Sequence, residues 1–316
     1  VNSFVISSLL PVVLLIAAGY LAGRRRWIGG PAVKDLSNLI FLLLAPALLF
    51  RAMSGVHVEE LRFKPVAAYF IASGLLFAAT LALRGFNRTG AVLALANTYS
   101  NTVMIGIVLV GLAYGEAGMV VLLTLISLHS LVLMTSATVV LELAVAREHA
   151  VVGGAEKRSM LRTVLRALRN AIIHPVPLPI IAGLLFAQSG WVMPQPVDRT
   201  IELLGQAFGP VALVMVGITL ALTPVGRHWR SAMVQAGVKN LLHPLLVAII
   251  GWALGVRGIP LTVMVVAAAL PIGANVFLFS QRYRSAEDLV TASVAVSTLL
   301  ALVTLTLVML WVQWLP

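Results

Sequence analysis

The chain has 316 residues, of which 60% are hydrophobic and only 10% charged, with a mean hydropathy of +1.02. A soluble domain carries about a quarter charged residues, so this composition excludes an ordinary soluble protein and describes a chain that lives in a bilayer. Cysteine is absent, which removes disulfides, thiolate nucleophiles and cysteine metal sites. The formal charge is +11, but the basic residues fall between apolar segments, where they act as topology determinants rather than as a nucleic-acid surface.

Taking a span as about 20 apolar residues, the sequence predicts an all-α polytopic membrane protein. Its ten spans lie near 4–22, 36–53, 64–84, 89–113, 117–142, 171–190, 200–222, 231–255, 259–281 and 288–314. The first has no basic stretch ahead of it, and Arg24, Arg25 and Arg26 follow it, so it reads as a retained span rather than a cleaved signal. Lys and Arg concentrate on alternate connections, from Arg24–Arg26 through Arg84 and Arg88 to Arg282 and Arg284. By the positive-inside rule those connections are cytoplasmic, which puts both termini on the other side of an inner or plasma membrane.

The longest connection, 146–170, contains EKRSMLRTVLRALRN. Met160, Leu161, Val164, Leu165 and Leu168 recur at helical spacing, with Arg158, Arg162, Arg166 and Arg169 on the other face. The pattern suits a cytoplasmic amphipathic basic linker on anionic lipid.

A shift of 164 residues lays Pro11 on Pro175, Gly19 on Gly183, Trp27 on Trp191 and Pro46 on Pro210. With a further ten-residue insertion, Asn101 falls on Asn275. Residues 1–145 and 171–316 therefore read as two copies of one five-span unit. An odd number of spans forces the second copy to insert upside down, and such inverted repeats place a substrate site at broken helices near the midplane.

Two interruptions fit that description. Asn97, Thr98, Ser100, Asn101 and Thr102 break the apolar fourth span, and Leu270–Asn275, LPIGAN, breaks the ninth. If each helix unwinds there, the second halves turn backbone N–H groups and positive dipole ends inward, which favours an anion. Candidate substrate contacts are Asn101, Asn275, Ser100, Thr102, Asn97, Gly273, Pro271 and His129. Lys239 and His243, one turn apart on the eighth span, and His129 are candidates for coupling or charge compensation, with snorkelling of Lys239 to the nearby cytoplasmic face, or its neutralising a helix C-terminus, as the alternatives. No carboxylate falls at mid-depth, since Glu142 and Glu202 lie near span ends, and this disfavours a cation substrate. No cofactor or metal site is expected; sodium or proton coupling stays open.

The segments LLIAAGYLAGR, LLLAPALLF, SNTVMIGIVLVGLAYGE, VGITLAL and LPIGANVFLFSQRYRSAEDLVTASVAVSTLL resemble the auxin efflux carrier family, which includes PIN-type auxin carriers and compact bacterial malonate- and malate-type carriers. The resemblance implies the bile-acid-symporter-like fold, two inverted five-helix repeats with broken helices 4 and 9 crossing. It implies a scaffold from about 4–53 plus 171–222, and a mobile transport unit from about 64–142 plus 231–314 that works by an elevator motion. Asn101 resembles the family's crossover asparagine and Pro271 the second crossover proline, while Val108 stands where the first crossover segment has a proline. The short central loop is similar to that of the bacterial carriers, which implies a small mono- or dicarboxylate substrate and a homodimer formed through the scaffold. A sodium-coupled bile-acid-type symporter shares this architecture, and a non-transporting sensor or lipid-binding regulator is the reading from another class.

Overall fold

A computed structural model of the chain describes residues 2–56, 61, 63–152, 176–223 and 225–315. Of the linker expected at 146–170, residues 153–170 lie outside the described residues, as do 171–175. The described elements are helical, and one isolated β-bridge joins two of the gaps between them. In chain order we label α1 Asn2–Arg24, α2 Gly30–Met53, α3 Phe63–Arg84, α4 Arg88–Thr98, α5 Ile107–Val152 and α6 Pro177–Gln188. The remainder are α7 Gln195–Leu222, α8 Gly226–Ala253, α9 Gly258–Ala269, α10 Asn275–Arg282 and α11 Glu287–Trp311. Among the described residues, 7 helical stretches are long and apolar enough to cross a membrane.

One of these stretches, Thr102–Val145, has 44 residues, which at 1.5 Å per residue is about 66 Å, roughly twice a hydrocarbon core. It is not one rod. Gly115 has φ 58 and ψ −149, a conformation that an L side chain rarely tolerates. A Cβ built on Gly118 would lie 3.1 Å from Val110 Cγ1, whereas residues eight apart in a straight helix are separated by about 12 Å. The chain therefore doubles back at Gly115, between the predicted spans 89–113 and 117–142.

Proline shapes two other helices. In α2 a π-helical turn, Ile40–Leu44, precedes Pro46, and in α8 another, Val238–Leu242, precedes Pro244. A proline in a helix cannot donate and its ring crowds the carbonyl four residues back; the widened turn makes room for it. In α8 the wide turn also sends two adjacent side chains, Lys239 and Asn240, into the interior, where both are fully buried.

Two packed groups surround the breaks. In the first, α1 lies along α7, and α2 packs on α6 and α7. Small residues bring backbones into contact: Gly19 sits on Val214, Gly217 on Ile16 and Tyr20, and Gly183 on Phe50, so an added Cβ would collide in each case. In the second, α3 packs on α4 and α8, α9 on α8 and α5, and α11 on the first half of α8. Large apolar side chains such as Leu42, Leu83, Leu185 and Leu278 point outward, as they do where lipid is the solvent.

Candidate functional site

The site begins where α4 and α9 stop. Thr98 Oγ1 turns back onto the carbonyls of Ala94 and Leu95 at 3.0 and 3.3 Å, and Tyr99 is extended at φ −88, ψ 107. Asn101 restarts the helix: its Oδ1 accepts the Met104 N–H at 3.3 Å, capping the π turn Thr102–Gly106 that leads into α5. This break forms although Val108 is not proline. In α9, Pro271 has no N–H to continue the ladder, and it pushes Leu270 to φ −59, ψ 148. The helix resumes at Asn275 as α10.

The two extended pieces cross and pair. Asn101 N donates to Pro271 O at 2.9 Å, Gly273 N donates to Tyr99 O at 3.0 Å, and Ser100 faces Ile272 as an antiparallel bridge. Irregular backbone at membrane depth persists only if its polar groups are satisfied inside the protein, and here each break supplies part of what the other lacks. The crossing is close: a Cβ on Gly273 would lie 2.7 Å from Tyr99 Cδ1, and one on Gly106 would lie 2.8 Å from Leu270 Cδ1.

A cleft with about 390 Å³ of empty volume, its open mouth included, lies against the crossing. Asn101, Thr102 and Ser100 line it from one break and Gly273, Ala274 and Asn275 from the other, with Phe41 of α2 and Ser130 of α5 opposite. Asn101 spends its oxygen on the cap, which leaves its Nδ2 without a partner among the described residues. No acidic side chain is among the lining residues. Asn275 Nδ2 donates to the Tyr99 hydroxyl at 3.0 Å, and that hydroxyl shares a 2.6 Å hydrogen bond with Ser130 Oγ.

Behind the cleft lies a buried polar layer. The Tyr69 hydroxyl sits 2.9 Å from Ser100 Oγ and 3.2 Å from His129 Nε2, and Ser73 Oγ is 2.9 Å from His243 Nε2. Lys239 Nζ donates to the carbonyls of Ala268 and Leu270 at 2.6 and 2.7 Å. Asn240 Nδ2 donates to Ser297 O at 2.9 Å, and Ser297 Oγ accepts the Ile272 N–H at 3.1 Å. Among the described residues, the buried polar ones include no carboxylate, and no group of three His, Asp or Glu could hold a metal.

The sequence pattern of the family described as "Membrane transport protein" matches residues 4–309. The chain belongs to the auxin efflux carrier family of membrane transport proteins. It is an integral membrane protein of a transporter family. A protein of Rhizobium meliloti (strain 1021) named "Putative malonate transporter" is 31% identical over 305 residues, covering 94% of this chain and 92% of that protein. The Escherichia coli (strain K12) protein "Uncharacterized transporter YfdV" is 26% identical, with 94% of each chain covered. "Auxin efflux carrier component 8" of Arabidopsis thaliana is 21% identical, with 95% of each covered.

Of the residues singled out from sequence, the fold brings Asn101, Ser100, Thr102, Gly273 and Asn275 to one cleft, with Pro271 in the crossing itself. Asn97 is set apart: it is buried and its Nδ2 donates to Thr80 Oγ1 at 3.1 Å. His129 lies behind the cleft wall, its ring 4.5 Å from that of Tyr99, and His243 lies deeper, against Ser73. The snorkelling alternative for Lys239 is corrected: the side chain is fully buried and turns to the end of α9, because the π turn aims it inward. Sequence reasoning missed Tyr99, Ser130, Tyr69, Asn240 and Ser297. Tyr99 lies inside the polar run ANTYSN, and Asn240 beside Lys239 in an apolar span, so both carried a signal; nothing in the sequence marked Ser297.

Proposed function

We propose that the chain is a secondary transporter of a small organic anion, a mono- or dicarboxylate of the malonate or malate kind, bound where the two breaks cross. The observation that carries this reading is the backbone pairing of Asn101 with Pro271 and of Gly273 with Tyr99, beside a cleft with no acidic side chain among the described residues that line it. N–H groups at the start of the π turn and of α10 face a carboxylate there, together with Asn101 Nδ2 and the polar side chains of Thr102 and Asn275. The name of the Rhizobium relative points to the same substrate class.

The ten-span inverted repeat supplies the motion. Under the shift of 164 residues the contact of Gly19 with Val214 turns into that of Gly183 with Phe50, and both backbone contacts are present. That interchange is what a two-fold axis relating the halves produces, and an odd number of spans in each half puts such an axis in the membrane plane. The group of α1, α2, α6 and α7 then serves as scaffold and dimer face, and the remaining helices move past it by an elevator step with both termini outside the cytoplasm. Phe41 comes from the scaffold and Asn101 and Asn275 from the moving part, so the substrate sits at their sliding boundary.

Reconstitution into liposomes tests the proposal. Counterflow of labelled malonate, malate or a related carboxylate is expected for at least one member of a panel. No counterflow for any member, at any imposed potential or pH gradient, would contradict it.

A further inference from the structure

Two half-helices end at the crossing, α4 at Thr98 and α9 at Ala269. Such an end carries unpaired carbonyls and a partial negative charge. In carriers with broken spans, these ends and the unwound carbonyls beyond them are where a coupling cation is held. At the end of α9 that place is taken. Lys239 Nζ reaches Ala268 O at 2.6 Å and Leu270 O at 2.7 Å, distances that suit charge-assisted bonds. An ammonium group only donates and these carbonyls only accept, so the pair matches without a carboxylate. The other buried titratable groups nearby are His129, His243, Tyr69 and Tyr99.

The end of α4 is treated differently. Its donor is neutral: the Tyr69 hydroxyl lies 3.5 Å from Thr98 O while also meeting Ser100 and His129. Tyr69 and Ser73 lie one turn apart on α3, as Lys239 and His243 do on α8, and a shift of 170 residues superposes the two pairs. One half-helix end therefore meets the hydroxyl of Tyr69 and the other the amine of Lys239.

We propose that Lys239 is a tethered counter-cation filling the position that a coupling sodium ion would take at the end of α9. Substrate binding then needs no sodium, and removing the amine opens the position to a small monovalent cation. The inference rests on the crossing being the transport site, yet it is read from the protein's own unfolding, so the two ideas fail separately.

The experiment follows tryptophan fluorescence during thermal unfolding of the full chain in sodium, potassium or choline chloride at equal ionic strength. Wild type has one midpoint in all three salts. Lys239→Ala unfolds lower in choline and recovers by several degrees as sodium is raised, with saturation, as binding linkage requires. Lys239→Met fills the space without a charge and recovers nothing in sodium. A wild type stabilised by sodium relative to choline overturns the proposal, as does a Lys239→Ala protein that ignores every cation. Should Lys239→Ala not fold in choline, preparation in sodium or propylammonium recovers it; failure in both overturns the proposal as well. Sodium-independent unfolding beside an absence of carboxylate transport would leave the tethered cation standing and remove the substrate reading.

Discussion

The two breaks do the same geometric job by different means. The second, at Leu270–Ala274, is made by Pro271 and then fixed from behind: Lys239 holds Ala268 O and Leu270 O, Ser297 holds Ile272 N, and Asn240 holds Ser297. The first, at Tyr99–Asn101, has no proline and is held through side chains, Ser100 by Tyr69 and the Tyr99 hydroxyl by Ser130 and Asn275. It is shaped by Thr98, which bends the last turn, and by Asn101, which caps the next. The difference teaches that a helix at membrane depth can be interrupted either by denying it a donor or by offering its carbonyls and N–H groups better partners. The second break is therefore the anchored strand of the crossing, and the first keeps an amide donor at the cleft, Asn101 Nδ2, that is unpaired among the described residues.

The sharpest way to break the comparison is to separate the strands. Gly273→Val places a branched side chain where even a Cβ lies 2.7 Å from the Tyr99 ring. Overpacking of this kind costs about 1–3 kcal/mol, and we expect lost transport with a lowered unfolding midpoint. Next comes the anchoring of the second break. Asn240→Leu removes the Nδ2 hydrogen bonds to Ser297 O and Thr304 Oγ1, and a hydrogen bond contributes about 0.5–1.5 kcal/mol net; thermal unfolding should drop while any affinity of the folded fraction is kept.

A smaller effect is expected at the first break. Asn101→Ala removes a cap worth about 1 kcal/mol and a free amide donor at the cleft, so substrate affinity should fall roughly tenfold, the equivalent of about 1.4 kcal/mol, with a modest loss of stability. Asn97→Ala, which loses only its bond to Thr80, should leave affinity unchanged in a binding titration. The smallest change is expected for Val108→Pro: the break is already formed two turns earlier, so folding and transport should both be retained.

Both interruptions were legible in the sequence, because Asn, Ser and Thr in a row, or Pro with Gly, are costly in an apolar span and stand out there. The self-similarity of the two halves was legible too, since Pro11, Gly19 and Pro46 recur at one offset. What joins the breaks was not. Lys239 binds the carbonyls of Ala268 and Leu270; a helix C-terminus is among the partners its sequence position allows, but a backbone carbonyl has no signature in a sequence, so which helix end it reaches is not legible there. The π turn that aims Lys239 follows from Pro244 only once helix geometry is considered. Asn97 misled for the opposite reason: it shares the polar run with Asn101, but four residues along α4 it faces Thr80 of α3. The pairing of Asn275 with Tyr99 spans 176 residues of sequence, a contact that composition and periodicity cannot express.

The central claim is that one ligand is held by both breaks at once. Titrating the transported carboxylate into wild type, Asn101→Ala, Asn275→Ala and the double variant, with Asn97→Ala as control, measures this directly. The account predicts weakened binding in each single variant, near-complete loss in the double variant, and wild-type affinity in the control. Unchanged binding in both Asn101→Ala and Asn275→Ala, in protein that remains folded, would contradict it.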